Sequence, residues 1–413
     1  MGKKGFYKGM ILREFYFSGT ISCAELSDKT GKSLPFTMKI VNELIKEGYV
    51  IESGYAPSSG GRRPVMYTIK PDTIYVVAVA MDQLVTRISV MDINNKHVGD
   101  IERFELPLAN NPDALSVLGE KIGEVIQRSP VDKKKIMGVG IGMPGFIDFK
   151  KGINYSFLES KEKTITQFLS EKLSLPVYID NDSSLIALAE LRFGSARHQK
   201  NAMVINISWG VGLGMILNGE LFRGHNGFAG EFSHIPLFNN NKLCGCGKTG
   251  CLETETSLLV IIEKAIDGLK NGRQSALSKK FPCGNFEQDY EAINMAALKG
   301  DQFAVELLSE VGYNIGRGVA ILIHLINPES VILSGRGALA GKVLQAPIQQ
   351  ALNKDCIPRL AANTVVEVST LGYEAELIGS AALVMENKVK ENTRILEKAK
   401  KSSKISSHLE KIT

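Results

Sequence analysis

After residue 72, strand-like and helix-like segments alternate along the chain, and several of the strand segments end in glycine turns. Residues 73–82 (TIYVVAVAMD) and 136–145 (IMGVGIGMPG) are apolar runs of strand length. Residues 175–182 (LPVYIDND) form a strand pattern that ends in acidic residues, and a helical pattern follows at residues 183–194. This alternation predicts an α/β architecture with a site near the carboxyl ends of the strands. Because 413 residues exceed one ordinary core, we expect two lobes in this part.

Helical patterns and a hairpin pattern in residues 1–72 predict a winged helix-turn-helix. Residues 20–31 form a short helical segment that ends at a glycine, and residues 33–48 form a second helix with an apolar stripe. The strand patterns of residues 49–55 and 64–70 flank a glycine-rich tip with two arginines. Two short helices, a tight turn and a hairpin in this order are typical of a winged DNA-binding domain.

The charge of this segment favours DNA as its partner. Residues 1–70 carry eleven Lys and Arg against six Asp and Glu, a balance of +5. Short polar side chains at the front of the second helix can reach base edges, and arginines on a wing can reach phosphates or the minor groove. The expected DNA contacts are Ser33, Thr37, Lys39, Arg62 and Arg63. The alternative is a small helical module that binds protein.

The composition indicates a folded, water-soluble chain, with 44% hydrophobic and 23% charged residues. No apolar run is long enough to cross a bilayer, and the N-terminus does not resemble a secretion signal. We therefore expect a cytoplasmic protein with no membrane partner. Residues 386–413 hold eight Lys and Arg against four Asp and Glu, so residues 391–413 are expected to form a basic C-terminal tail.

Three of the six cysteines fall within eight positions of the segment LCGCGKTGCLE (243–253), and a histidine precedes the first of them by ten residues. In a reducing compartment this uneven spacing favours metal or free thiols over disulfides. One imidazole and three thiolates suit tetrahedral zinc, and four protein ligands leave no position for a catalytic water. The pattern predicts a structural zinc site with the ligands His234, Cys244, Cys246 and Cys251. The alternative is a metal-free turn with buried thiols.

Four ordered segments resemble the ROK family of repressors, open reading frames and kinases: GVGIGMPGFID, IDNDSSLIALAE, GELFRGHNGFAGEFSHIPL and CGCGKTGCLE. The resemblance covers residues 73–386, and with the winged helix-turn-helix the chain is similar to the branch of repressors that respond to xylose or N-acetylglucosamine. The family implies the two-lobed actin-like ATPase fold of sugar kinases. One lobe would span residues 73–200, completed by a C-terminal helix at about residues 373–390. The other would span residues 201–372 and contain the zinc site.

The resemblance also implies a sugar site. In the family, an aspartate that follows an asparagine accepts the proton of the hydroxyl to be phosphorylated, and the matching pair here is Asn181 and Asp182. A carboxylate beside an amide can accept and donate hydrogen bonds to neighbouring hydroxyls. The further sugar-binding matches are Gly145, Glu231, His234 and Glu253. The family's asparagine in the loop after the Pro-Gly turn has Asn154 as its candidate counterpart, although the surrounding residues depart from the pattern.

By the same resemblance, three parts that hold ATP in active family kinases are altered. The positions aligned with the first phosphate motif, Asp-x-Gly-Gly-Thr, include Ala80, Asp82, Gln83 and Leu84. The second phosphate loop and the adenosine loop contain Ser208, Trp209, Gly210, Ser334 and Arg336. Phosphoryl transfer depends on holding phosphates and metal in place, and a carboxylate beside a phosphate would repel it. We therefore expect Asp182 to be a vestigial base, with no catalytic residue in the chain.

These patterns together predict a sugar-responsive DNA-binding transcriptional regulator, a repressor by family. The expected partners are a double-stranded DNA operator and a monosaccharide or sugar phosphate, bound by a homodimer or homotetramer. One alternative is an ATP-dependent sugar kinase with an accessory DNA-binding domain. Another is a repressor that is controlled by a protein partner and binds no sugar.

Overall fold

The computed structural model describes residues 3–58, 63–158, 162–279 and 281–387. The chain divides into two compact units. The first comprises the described residues of Met1–Ile141, Leu158–Ile179 and Ser380–Thr413, and the second comprises those of Gly142–Phe157 and Asp180–Gly379. The predicted basic tail at residues 391–413 lies outside the described residues. None of the helices described in these ranges is long and apolar enough to span a bilayer.

The N-terminal segment of the first unit has the predicted winged arrangement. Its sheet has the order β1-β3-β2, with β3 antiparallel to both neighbours. Helix α2 begins with a reciprocal cap between Ser22 and Glu25 and ends at Gly31, which has a left-handed backbone (φ 60°). The elements are α1 (Lys3–Ser18), β1 (Ile21–Ser22), α2 (Cys23–Thr30), α3 (Leu34–Lys46), β2 (Val50–Tyr55) and β3 (Val65–Ile69).

A five-stranded sheet of order β10-β7-β4-β5-β6 lies after the winged segment. The predicted pair of buried strands is confirmed, because β4 and β5 pair antiparallel from Tyr75↔Asp92 to Met81↔Thr86. The strands are β4 (Tyr75–Met81), β5 (Val85–Asp92), β6 (Glu102–Glu105), β7 (Ile136–Met143) and β10 (Val177–Asn181). The helices are α4 (Ala114–Arg128), α5 (Ile165–Leu173) and a C-terminal helix, α12, over residues 375–387.

Helix α12 packs closely on this sheet within the first unit. The hydroxyl of Ser380 donates to the carbonyl of Val79 in β4 at 2.8 Å. A Cβ at Gly140 of β7 would lie 1.9 Å from the Ser380 carbonyl oxygen, so only glycine fits there. The other end of α12 contacts the winged segment, since Arg13 of α1 and Glu386 form an ion pair at 3.1 Å. The winged segment is therefore tied to the same folding unit as the first sheet.

The second unit contains a sheet of order β13-β12-β11-β14-β15. Strand β11 pairs antiparallel with β12 and parallel with β14, in the register Ala202↔Ser330 to Asn206↔Ser334. The strands of this unit are β8 (Ile147–Asp148), β9 (Ile153–Asn154), β11 (Ala202–Ile207), β12 (Val211–Leu217), β13 (Glu220–Phe222), β14 (Ser330–Ser334) and β15 (Val365–Val368). Its helices are α6 (Asp182–Phe193), α7 (Leu258–Lys270), α8 (Phe286–Leu298), α9 (Gln302–Ile326), α10 (Lys342–Asp355) and α11 (Pro358–Ala361).

The observed α/β architecture agrees with the sequence prediction. The compact units differ from the expected lobes at three places, because residues 142–157, 180–200 and 373–379 group with the second unit. The functional domains at residues 1–72, 73–200 and 201–372 therefore remain predictions. The parallel pairing of β11 and β14 has a direct consequence for function, since it brings the loops after both strands to the same edge of the sheet.

Candidate functional site

The four predicted metal ligands converge in the second unit. Their ligand atoms, one from each of His234, Cys244, Cys246 and Cys251, all lie within 4.8 Å of one another. The Sγ of Cys244 is 3.5 Å from His234 Nδ1, and the Sγ atoms of Cys246 and Cys251 are 3.6 Å apart. A tight turn closes the loop, in which the Cys244 N–H donates to Lys248 O at 2.8 Å.

The distances of 3.5 and 3.6 Å match the ligand spacing of a tetrahedral zinc ion. Bonds of about 2.3 Å to sulfur and about 2.0–2.1 Å to nitrogen place neighbouring ligand atoms of a tetrahedron about 3.5–3.8 Å apart. Cys244 is 4% exposed and Cys251 is fully buried. Burial raises the pKa of Cys251 to about 12, so its thiol is protonated at neutral pH until a metal displaces the proton. The cluster is therefore a candidate metal centre with four protein ligands.

His234 connects this cluster to the candidate sugar residues. Its Nδ1 faces the Cys244 thiol, while its Nε2 lies 3.7 Å from the Glu231 carboxylate. A metal held by Nδ1 would leave Nε2 as an N–H donor toward a ligand hydroxyl. Burial raises the pKa of Glu231, and the nearby Glu253 carboxylate raises it further, while His234 lowers it. Glu253 is itself close to the cluster, with its Oε1 3.9 Å from the Cys244 sulfur.

The Asn-Asp pair lies where β10 passes into α6, as its position after a strand predicted. Asn181 caps the helix by accepting from the Ser184 N–H at 3.2 Å, and its amide donates to the Gly145 carbonyl at 3.3 Å. Asp182 is the first residue of α6 and is half-buried. Gly145 has φ +100°, and a Cβ there would lie 2.7 Å from Ser156. The structure therefore brings Gly145 and Asn181 into contact at the end of the strand.

Asn154, the candidate counterpart of the family's loop asparagine, forms side-chain hydrogen bonds inside its own loop. It is 3% exposed, and its amide donates to the Pro144 carbonyl at 3.0 Å. Its Oδ1 accepts from the backbone N–H groups of Ser156 and Phe157 at 2.9 and 3.1 Å. Asn154 thus supports the structure of its own loop.

The loops after β11 and β14 meet around a buried arginine. The Arg336 guanidinium lies 5.0 Å from the Trp209 ring and 4.5 Å from the Tyr373 ring. It also forms an ion pair with Glu287 of α8 and donates to the Tyr373 hydroxyl. Arg336 is 5% exposed and Trp209 is 3% exposed. The side chains of Trp209, Arg336 and Tyr373 therefore pack together at the carboxyl edge of these two parallel strands. We call these three residues the stacked cluster.

The turn between β4 and β5 is closed by its own carboxylate. Asp82 Oδ1 accepts from the backbone N–H groups of Leu84 and Val85 at 2.8 and 2.6 Å. By the resemblance given above, this turn aligns with the first phosphate motif of the family's kinases, whose backbone amides would hold a phosphate. Here the Asp82 carboxylate occupies two amides of the turn.

The structure corrects one of the expected DNA contacts. Thr37 is fully buried, and its hydroxyl donates to the Ser33 carbonyl at 3.2 Å, so it packs inside the winged segment and cannot reach a base. Ser33, the N-cap of α3, and Lys39 within α3 are exposed, as a DNA contact requires. Arg63 is exposed and donates to the Ala56 carbonyl at 2.7 Å. Arg62 lies outside the described residues.

Comparison with known proteins assigns the family. The sequence profile of the ROK family matches residues 81–387, which is most of the chain. The chain belongs to the ROK family. The matched range contains the metal cluster, the Asn-Asp pair and the stacked cluster.

ROK regulators and ROK kinases are both similar to this chain. A xylose repressor from Caldicellulosiruptor bescii is 29% identical over 388 residues, which cover 92% of this chain and 95% of the repressor. A glucokinase from Halalkalibacterium halodurans is 31% identical over 291 residues, which cover 69% of this chain and 88% of the kinase. The crystal structure of a ROK family transcriptional regulator, a homologue of the E. coli MLC protein, has a TM-score of 0.76 and 25% identity. That match covers 93% of this chain and 96% of the regulator.

An ion pair that no sequence pattern indicated supports the end of β10, next to Asn181 and Asp182. Asp180 is 3% exposed, and its Oδ2 accepts from Arg223 Nη2 at 2.6 Å. The same guanidinium lies 4.7 Å from the Phe149 ring. The loop that begins at Arg223 and carries Glu231 is thereby fixed against the end of β10. The two partners are 43 residues apart, so no local pattern could have indicated the pair.

Proposed function

We propose that this ROK protein is a cytoplasmic, sugar-responsive transcriptional regulator, a repressor that binds an operator through its winged segment. The similarity to a xylose repressor extends over 92% of the chain, and E. coli NagC, a DNA-binding transcriptional dual regulator, is 27% identical over 368 residues. A homodimer or homotetramer would present two winged segments to paired half-sites. Ser33, Lys39, Arg62 and Arg63 are the proposed DNA contacts.

The sugar would bind in the second unit. Asn181, Asp182, Glu231 and Glu253 offer amide and carboxylate groups for sugar hydroxyls, and His234 would donate from Nε2. A zinc ion at the Cys/His cluster would fix the orientation of His234 and the loop that carries Glu253. Its role is architectural, because four protein ligands complete the tetrahedron.

The stacked cluster is the observation that carries the proposal of a sensor rather than a kinase. In the ROK kinase pattern, the loops that contain Trp209 and Arg336 hold the nucleotide. Here an indole, a guanidinium and a phenol pack on one another in that position, with Trp209 only 3% exposed. The Asp82 carboxylate takes up two backbone amides at the first phosphate turn. A sugar hydroxyl that gives its proton to Asp182 would then have no activated phosphate to attack.

The competing function is a sugar kinase with an accessory DNA-binding segment. The 31% identity to a glucokinase and the retained Asp182 favour it. A repressor controlled by a protein partner is the third candidate, and it would bind no sugar at all.

One experiment separates the three functions. The full chain, loaded with zinc, is titrated calorimetrically with xylose, glucose, N-acetylglucosamine and their 6- or 5-phosphates, and ATP consumption is followed by a coupled assay with each sugar. We expect binding of at least one compound and ATP consumption equal to that of the matched variant Asp182→Ala. Sugar-dependent ATP consumption that Asp182→Ala abolishes would establish the kinase. Failure of every compound to bind would favour control by a protein partner.

A further inference from the structure

Three aromatic side chains form an exposed patch beside the candidate sugar residues. Phe146 follows Gly145, Tyr155 follows the loop-bracing Asn154, and Phe228 precedes Glu231 by three residues. Phe146 is 39% exposed and Tyr155 is 54% exposed. The rings of Phe146 and Tyr155 both meet the half-buried Phe228 ring edge-on, with centroid distances of 5.8 and 6.1 Å. We call Phe146, Tyr155 and Phe228 the aromatic patch.

The backbone holds the aromatic patch in place. The Phe146 N–H donates to the Ser156 hydroxyl at 3.0 Å, and the Tyr155 N–H donates to the Phe146 carbonyl at 2.9 Å, so both rings project from one braced hairpin. The loop of Phe228 is closed by its own hydrogen bond, because the Ala229 N–H donates to the Arg223 carbonyl at 3.2 Å. A binding surface with fixed side chains loses little conformational entropy when a ligand binds.

Exposed aromatic rings beside hydroxyl-binding groups suit a carbohydrate longer than one ring. A pyranose presents hydroxyls around its rim and C–H groups on its faces, so the first ring uses polar side chains and a following ring can lie on aromatic ones. Of the residues proposed for the sugar, Gly145 directly precedes Phe146, and Glu231 and His234 follow Phe228 by three and six positions. Neighbouring exposed apolar side chains that form one patch, rather than single scattered ones, are typical of a binding site.

We propose that the effector is a disaccharide or longer glycoside, whose second ring stacks on Phe146 and Tyr155. This inference rests on the proposed function, because it extends the same sugar site by one subsite. The first ring lies against Asn181, Asp182 and Glu231, and the glycosidic oxygen directs the second ring toward the aromatic patch.

The test compares matched sugars on matched variants by calorimetry. The probe pairs are xylose with xylobiose, glucose with cellobiose, and N-acetylglucosamine with N,N′-diacetylchitobiose. We expect one disaccharide to bind about tenfold or more tightly than its own monosaccharide, the gain expected for one stacked ring. Phe146→Ala and Tyr155→Ala should each remove most of this ratio and leave monosaccharide affinity unchanged. Tyr55→Ala, which removes a 64% exposed ring from the winged segment, is the control and should keep the full ratio.

The outcomes distinguish this inference from the proposed function. Equal affinities for both members of every pair, with binding intact, would overturn the second-ring subsite and leave the sugar sensor standing. Loss of monosaccharide and disaccharide affinity by the same factor in Phe146→Ala would also overturn it. If no sugar binds the parent chain, the proposed function and the subsite fail together. Phe146→Leu, which keeps apolar volume without the ring, checks that lost affinity does not come from misfolding.

Discussion

Replacing Arg336 with alanine tests whether the stacked cluster is an integral part of the second unit. The guanidinium lies 5.0 Å from Trp209 and 4.5 Å from Tyr373, and each cation–π contact contributes about 1–2 kcal/mol when it is shielded from water. Arg336→Ala removes both contacts, while Glu287, whose side chain is 33% exposed, can regain water. We therefore expect a loss of roughly 2–4 kcal/mol, which lowers the melting temperature of a unit of this size by roughly 5–10 °C.

Trp209 provides a direct readout, because it is the only tryptophan in the chain. Its ring is 3% exposed, so the parent protein should emit at short wavelength and Arg336→Ala should shift the emission toward that of hydrated indole. Arg336→Lys keeps the charge but not the planar group, and should fall between the two. Arg359→Ala, at an exposed position on α11, is the matched control. Unchanged emission and melting temperature in Arg336→Ala would refute the role given to the cluster.

Three further predictions concern other parts of the molecule. Cys246→Ser should lower zinc content and sugar affinity together, because the metal contributes folding free energy to the loop. Elemental analysis measures the zinc content and calorimetry measures the sugar affinity. Sugar affinity that survives the loss of zinc would contradict an architectural role for the metal. Lys39→Ala should weaken DNA binding and reduce the slope of log affinity against log salt concentration by about one, whereas Thr37→Val, at a buried position, should leave this slope unchanged. Anisotropy titrations over a salt series measure both slopes. The reverse pattern would contradict our assignment of the two faces of α3. Burial raises the pKa of Glu190 above its ordinary 4.5, so the stability this group contributes is present below about pH 4.5 and is lost as pH rises through the raised value. The difference in free energy of unfolding between Glu190→Gln and the parent chain, measured in urea, should therefore favour the variant more at about pH 8 than at about pH 5. An equal difference at both pH values would rule this out.

The features that sequence predicted well are encoded locally. The metal cluster depends on three cysteines within eight positions and a histidine ten residues earlier, and this local spacing is enough to indicate the four ligands that the structure brings together. The location of Asn181 and Asp182 at the end of a strand was also indicated by the local pattern. The alternating pattern likewise gave the α/β architecture, because a buried strand must be apolar along its length.

Most features that sequence missed depend on distant residues. The burial of Thr37 is an exception, because Thr37 precedes Ile40, Val41 and Leu44 by three, four and seven positions and so shares their buried face of α3. The contact between Trp209 and Arg336 depends on the parallel register of β11 and β14, which no local pattern specifies. The family resemblance indicated that Trp209 and Arg336 depart from the kinase pattern, and the structure adds that these two side chains contact each other.

The measurement that tests the account most directly is the affinity of the full chain for its operator with and without sugar. DNA fragments selected by the protein from a random library provide the operator, and the sugar is the tightest binder from the calorimetric panel. The account predicts that saturating sugar changes the DNA affinity by about 5–150-fold, without ATP. DNA affinity that stays the same at saturating sugar would contradict a sugar-responsive regulator.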